Sequence, residues 1–319
     1  MRLARGLIIV AALGLLAIFF FSSVNVIVLV KAEALGWQVD VYTQKQPNSG
    51  VGPGQPSDAF ASDDLVLVYA NVTYNGAGVQ HVPASFLVNG PPNPLDNITF
   101  SLTALSDDNG IAQVQFRINS PGENVETVSF GTWNVTANTD EGSDYLTFKV
   151  GWIVEITFLD LNGGIDPPQG GRLGVELSLS NLAMVAQNAT LHILMYDSSD
   201  ILIGSIHLEN MTVDVGGTDF STVFEIPLSA RPGIGSVDAF VYTPSGAPFS
   251  PGKSGTFEIS LFGDLNGNGK VDMADIAIAA AAFGSYFGHS RWNPVADVNK
   301  DHIVNLRDIA LIAQRFGKT

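Results

Sequence analysis

The strongest constraint on what this chain can fold into is a twelve-residue pattern of oxygen-bearing side chains that occurs twice, 33 positions apart, near its end. In Asp264-Leu265-Asn266-Gly267-Asn268-Gly269-Lys270-Val271-Asp272-Met273-Ala274-Asp275, side-chain oxygens fall at loop positions 1, 3, 5, 9 and 12. A hard cation that takes six to eight oxygens at about 2.3–2.6 Å is served by that spacing. Gly269 stands at position 6, where the loop turns sharply. Position 7 contributes a backbone carbonyl, that of Lys270, so its side chain is free to vary. Asp272 reaches the ion through water, and Asp275 closes the shell with both oxygens. Asp297, Asn299, Asp301, the carbonyl of Ile303, Asn305 and Asp308 hold the same positions in the second copy. The pattern predicts two Ca²⁺ ions. His302 replaces the position-6 glycine at some cost in the left-handed region, so the second site is expected to be the weaker.

The core repeats at the same interval: Val271 with Val304, Ile276 with Ile309, Ala279 with Ile312, and Phe283 with Phe316. One short amphipathic helix is therefore expected after each loop, stopping at Gly284 and Gly317. This arrangement resembles a type I dockerin over residues 262–319, with Asp in place of Glu at the loop end and a single helix after each loop. The resemblance implies a cohesin-like partner, a cell-surface or secreted assembly, and polysaccharide degradation reached through partners. In cellulosomal dockerins the partner-contacting pair at loop positions 10 and 11 is usually Ser-Thr. Here it is Met273-Ala274 and Leu306-Arg307, which implies a different partner specificity.

Upstream, between Trp37 and Leu261, runs of Val, Ile, Thr and aromatic residues alternate with turn signals, and no stretch has a sustained helical period. The fold class expected is mostly β: two tandem immunoglobulin-like β-sandwiches over 36–150 and 151–261, followed by the α-helical dockerin with paired EF-hand-like calcium loops. Asn75-Gly76 and Asn109-Gly110 read as hairpin turns. Tyr74-Asn75-Gly76-Ala77-Gly78-Val79, Ala84-Ser85-Phe86-Leu87-Val88 and Asp107-Asp108-Asn109-Gly110-Ile111-Ala112 resemble the bacterial immunoglobulin-like repeats of invasin-type surface proteins. That likeness implies a spacer or adhesive module without catalysis.

At the N-terminus, Arg2 and Arg5 precede an uncharged run from Gly6 to Val30. Its length suits a transmembrane helix of about 20 residues better than a signal h-region of about 7–15. Residues 1–31 are therefore expected to anchor the protein in the membrane with the remainder on the extracellular face; cleavage near Ala32 or Ala34 would make it secreted. The 31 acidic residues outnumber the 15 basic ones, a balance that argues against nucleic acid as a partner. With no cysteine, disulfide frameworks and thiolate chemistry are excluded. Asn71, Asn97, Asn134, Asn188 and Asn210 begin acceptor sequences for N-linked sugar.

No catalytic constellation stands out. Asp160-Leu161-Asn162-Gly163-Gly164-Ile165-Asp166 imitates half a calcium loop, but Pro167-Pro168 prevents a closing helix. His192 and His207 lie on neighbouring expected strands and read as strand packing. His81 and His289 are isolated, and the acids Glu123, Glu126, Asp140 and Glu141 have no partner across a cleft. The function expected is a non-catalytic, calcium-dependent interaction protein. The alternatives are an adhesin or surface-layer stalk whose dockerin only caps the chain, and a hydrolase with a site in the second sandwich.

Overall fold

The computed structural model describes residues 8–11, 14–17, 36–92, 98–118, 125–161 and 166–319. The transmembrane helix expected at the N-terminus is corrected by it. The described part of that run pairs as antiparallel strands β1 (Ile8–Ala11) and β2 (Gly14–Ala17), with Val10 opposite Leu15. No described helix is long and apolar enough to cross a membrane. Apolar length alone does not choose between helix and strand, and the β-branched Ile8, Ile9 and Val10 favour the strand. Residues 18–35, with the cleavage positions Ala32 and Ala34, lie outside the described residues, as do Asn97, Glu123 and 162–165 of the half calcium loop.

The chain divides into two compact units, Met1–Trp152 and Ile153–Thr319. In the first, β4 (Leu65–Tyr74) is the centre of one sheet, flanked by β3 (Trp37–Thr43) and β8 (Ile111–Arg117), with the short β5 (Ala77–Gly78) folded back on it. The other sheet runs in the order β10 (Gly142–Val150), β9 (Gly131–Thr139), β6 (Pro83–Asn89), β7 (Thr99–Leu105). Alternate residues of both sheets meet inside, as the period-2 pattern requires. Val66, Val68 and Ala70 of β4 are buried with Phe86, Trp133, Leu146 and Phe148. Trp133 lies stacked 6.1 Å from Phe148 and 6.2 Å from Phe116, and its indole N–H donates to the Ser129 carbonyl at 2.9 Å. A four-residue helix, α1 (Val125–Val128), precedes β9.

Asn75-Gly76 is a hairpin turn, with positive φ at both residues (51° and 79°). Asn109-Gly110 is not. It carries the chain from β7 to β8, which belong to different sheets, and only Gly110 has positive φ. The turn is held by Asp107, whose carboxylate accepts from the Asn109 and Ile111 amides at 2.9 Å each. Gly78 lies so close beneath it that a Cβ would sit 2.0 Å from the Asn109 carbonyl oxygen.

The second unit opens with a sheet of β11 (Val154–Leu161), β12 (Arg172–Asn181) and β15 (Thr218–Glu225). Its other sheet runs β14 (Leu202–Val213), β13 (Gln187–Tyr196), β16 (Gly233–Tyr242), β17 (Lys253–Ile259). Leu173, Leu177, Leu191, Ile193, Met195 and Val241 are among its buried core. After β17 no linker intervenes. Ser260 bridges to Pro168, the Phe262 amide donates to Gln169 Oε1 at 3.1 Å, and Leu261 is already part of the next core.

That core is small: Leu261, Val271, Ala279, Ala282, Ala296, Val304 and Ile312. It lies between two short helices, α2 (Met273–Ala281) and α3 (Leu306–Ala313). Val271 exchanges backbone hydrogen bonds with Gly317 and Lys318, and Val304 does the same with Gly284 and Ser285. Each calcium-type loop thus pairs with the chain leaving the other loop's helix. The equivalence expected of Phe283 and Phe316 holds, but not as core: they are 46% and 52% exposed. Each follows the last helical turn, so the stripe that buries Ala279 and Ile312 has ended before it reaches them.

Candidate metal centre

In both loops the side chains expected to hold cations are organised by the loop's own amides. Asp264 accepts from Gly267 N at 2.8 Å through Oδ1 and from Gly269 N at 2.7 Å through Oδ2. Asp297, its equivalent, accepts from Asp301 N at 3.1 Å and His302 N at 2.9 Å. Asn266 and Asn268 receive the amides of Asn268 and Lys270, as Asn299 and Asp301 receive those of Asp301 and Ile303, all at 2.9–3.0 Å. Such bonds turn the acceptor side chains of positions 1, 3 and 5 toward the inside of one short loop.

The last position ties the loop to the helix. Asp275 receives Leu265 N at 2.8 Å on Oδ1 and Asp272 N at 2.8 Å on Oδ2. Asp308 receives Asn299 N at 3.3 Å and Asn305 N at 2.9 Å. Asp272 and Asn305 are the helix N-caps, each closing a capping box with the aspartate three residues on. That role is legible in the spacing Asp-x-x-Asp and Asn-x-x-Asp, but reading the loops as ligand positions alone passes over it.

Two positions in each loop take positive φ. At position 6 these are Gly269 (81°) and His302 (68°), and at position 4 Gly267 (71°) and Lys300 (56°). The second loop therefore holds two non-glycine residues in the left-handed region where the first holds glycines. Against that, Asp301 supplies a carboxylate where the first loop has the neutral Asn268. Carboxylate oxygens of Asp297, Asp301 and Asp308 lie within 4.8 Å of one another. His302 also packs its ring 5.8 Å from that of Phe287.

The residues present fit a hard cation. Asp275 and Asp308 are fully buried and Asp297 is 5% exposed, yet among the described residues no Lys or Arg forms an ion pair with any of them. Buried carboxylates call for a paired charge or a metal. An all-oxygen donor set selects Ca²⁺ or Mg²⁺ over softer ions.

The surface around the loops is apolar at equivalent points. Met273 and Leu306, at loop position 10, are 64% and 70% exposed. With Phe283 and Phe316 they form two matched pairs, each related by the 33-residue repeat.

Fold and loops together define a calcium-binding helical module carried on β-sheet domains. Residues 262–317 match the family described as the dockerin type I domain, and this segment is a type I dockerin domain. Such domains bind calcium and dock onto cohesin domains, which sets the protein outside the cell or at its surface. No curated protein matches the chain in sequence. Among solved structures, a trypsin-activated alpha-2-macroglobulin from Escherichia coli is similar at 13% identity and a TM-score of 0.31, over 71% of this chain and 18% of that one. A red sea bream transglutaminase is similar at 14% identity and a TM-score of 0.28, over 71% of this chain and 31% of that one. Pseudomonas fluorescens alkylpurine DNA glycosylase AlkC bound to DNA matches 34% of this chain and 30% of its own at 16% identity and a TM-score of 0.27. The chain spans less than a third of the length of each, and none of these likenesses bears on function.

Proposed function

We propose that the chain is a non-catalytic docking protein that carries two calcium ions, one in each loop, and presents its dockerin to a cohesin-like domain within a polysaccharide-degrading assembly. The observation that carries this reading is the equivalence of the two loops, in which the side chains at positions 1, 3, 5, 9 and 12 each accept from a backbone amide at a matching position, together with the matched exposed apolar pairs. Calcium supplies the positive charge that the buried carboxylates Asp275, Asp297 and Asp308 lack. With those carboxylates held, the loop amides stay ordered and the first turns of α2 and α3 are fixed. Met273, Leu306, Phe283 and Phe316 are then displayed on a stable frame, and burial of one such side chain contributes about 1.5–3 kcal/mol to docking. The β-domains act as spacers.

The test is binding of the full chain to a panel of immobilised cohesin domains with calcium or with chelator. Docking that requires calcium and weakens at least tenfold in the double variant Met273→Asp, Leu306→Asp is expected. Calcium-independent capture, or full retention by the double variant, would overturn the reading.

A further inference from the structure

On the outer face of the second unit, β13 and β14 are in a register that sets His192 opposite His207. Their rings meet edge to face, with His192 Nε2 2.8 Å from His207 Nδ1. Two residues along β14, and so on the same face, Glu209 places Oε1 3.0 Å from the other ring nitrogen of His207, Nε2. The carboxylate can only accept, so His207 carries its proton on Nε2 and turns the Nδ1 lone pair toward His192. A cavity of about 440 Å³ opens over these rings, bordered also by Thr190, Tyr242 and Thr243. Tyr242, on β16, holds its ring 5.2 Å from that of His192.

We propose that this face is a transition-metal site, in which His192 Nε2 and His207 Nδ1 bind one divalent cation of the zinc class and Glu209 orients His207 from behind. Three features carry the assignment. Imidazole nitrogen is the ligand chemistry of Zn²⁺, Ni²⁺ and Cu²⁺, whereas the all-oxygen loops of the dockerin suit Ca²⁺. A carboxylate on the far nitrogen is the usual support of a metal-bound histidine, since it sets the tautomer and raises the basicity of the ligating atom. The spacing is also close to what one ion requires: two nitrogens at about 2.0–2.1 Å from a tetrahedral centre stand about 3.3 Å apart, so the pair has to open by about 0.5 Å. Facing the Nδ1 lone pair of His207, His192 Nε2 carries the proton of the 2.8 Å bond; binding the ion shifts that proton to His192 Nδ1 and frees the Nε2 lone pair. Glu209 bonds the far side of the His207 ring and is a positioning residue. The remaining coordination positions face the cavity, where water or a small anion completes the shell beside the hydroxyls of Thr190 and Thr243.

The experiment uses the full chain with the dockerin loops saturated by millimolar Ca²⁺, so that uptake at the β-domain is read apart from loop binding and from docking. Zn²⁺ is titrated by calorimetry and Co²⁺ by its visible absorption. One Zn²⁺ per chain is expected, with tetrahedral Co²⁺ bands. Affinity should fall at least tenfold in His192→Ala and in His207→Ala, and about 10- to 100-fold in Glu209→Gln. The side chains of His207 and Glu209 are half or more exposed, so these variants keep the fold, which an unchanged thermal midpoint in calcium verifies. No uptake by the parent chain, or uptake that both histidine variants retain, overturns the proposal.

Discussion

Replacing Asp275 by alanine removes one acceptor from three backbone donors: Leu265 N–H and Asp272 N–H at 2.8 Å, and Asn266 N–H at 3.3 Å. A hydrogen bond to a charged acceptor contributes about 1.5–3 kcal/mol, so the two short bonds alone give about 3–6 kcal/mol. That is comparable to the whole stability of a module this size, at roughly 0.05–0.15 kcal/mol per residue. The substitution also takes from the loop a fully buried carboxylate that calcium would neutralise. Asp272→Ala is the matched comparison, because it removes the helix cap, including the bond from Ala274 N, worth about 1 kcal/mol. Hydrogen exchange followed by mass spectrometry on the full chain in saturating calcium reads both. Amides of 264–281 should exchange at least about 100-fold faster in Asp275→Ala and roughly fivefold faster in Asp272→Ala. An equal acceleration in the two variants would refute the argument that Asp275 is the acceptor on which loop and helix jointly depend.

Two further outcomes are expected. His302→Gly relieves a left-handed residue worth about 1–2 kcal/mol in strain; stepwise calcium titration should show the weaker transition strengthening by up to about 30-fold, and an unchanged curve would mean that the His302–Phe287 contact offsets the strain. Asp197 ties the end of β13 to the turn before β16: burial raises its carboxyl, but the amides of Arg231, Ser199 and Ile201 hold it below the usual carboxylate range. A depressed carboxylate contributes stability that is complete above the unfolded value of about 3.9 and lost as pH falls through the folded one. Asp197→Asn should therefore narrow the stability gap between pH 6 and pH 3 for the second unit, as read by denaturant melts; an identical pH slope in both proteins would remove Asp197 from the account.

What the sequence alone determined is local. The positions of the loop oxygens could be read because six or more ligands drawn from twelve consecutive residues leave little freedom of spacing, and the strands because alternation is written along a single segment. The left-handed backbone at His302 followed from its place in the loop, whereas Lys300 gave no signal of its own.

What only the tertiary structure decided depends on distant segments. The apolar N-terminal run was long enough for a helix, but its described residues pair as strands, because pairing rewards contacts that hydropathy does not record. Asn109-Gly110 has the composition of a hairpin, yet it joins two sheets, since β8 pairs with Leu65–Asn71 of β4, well before β7 in the chain. Phe283 and Phe316 continue the buried period and are exposed, because their helices end first. His192, His207 and Glu209 carry no motif, and only the antiparallel register of β13 and β14 brings them to one place. Register is set by the packing of whole sheets, so side chains that meet across it stay unrelated in the sequence until the fold is formed.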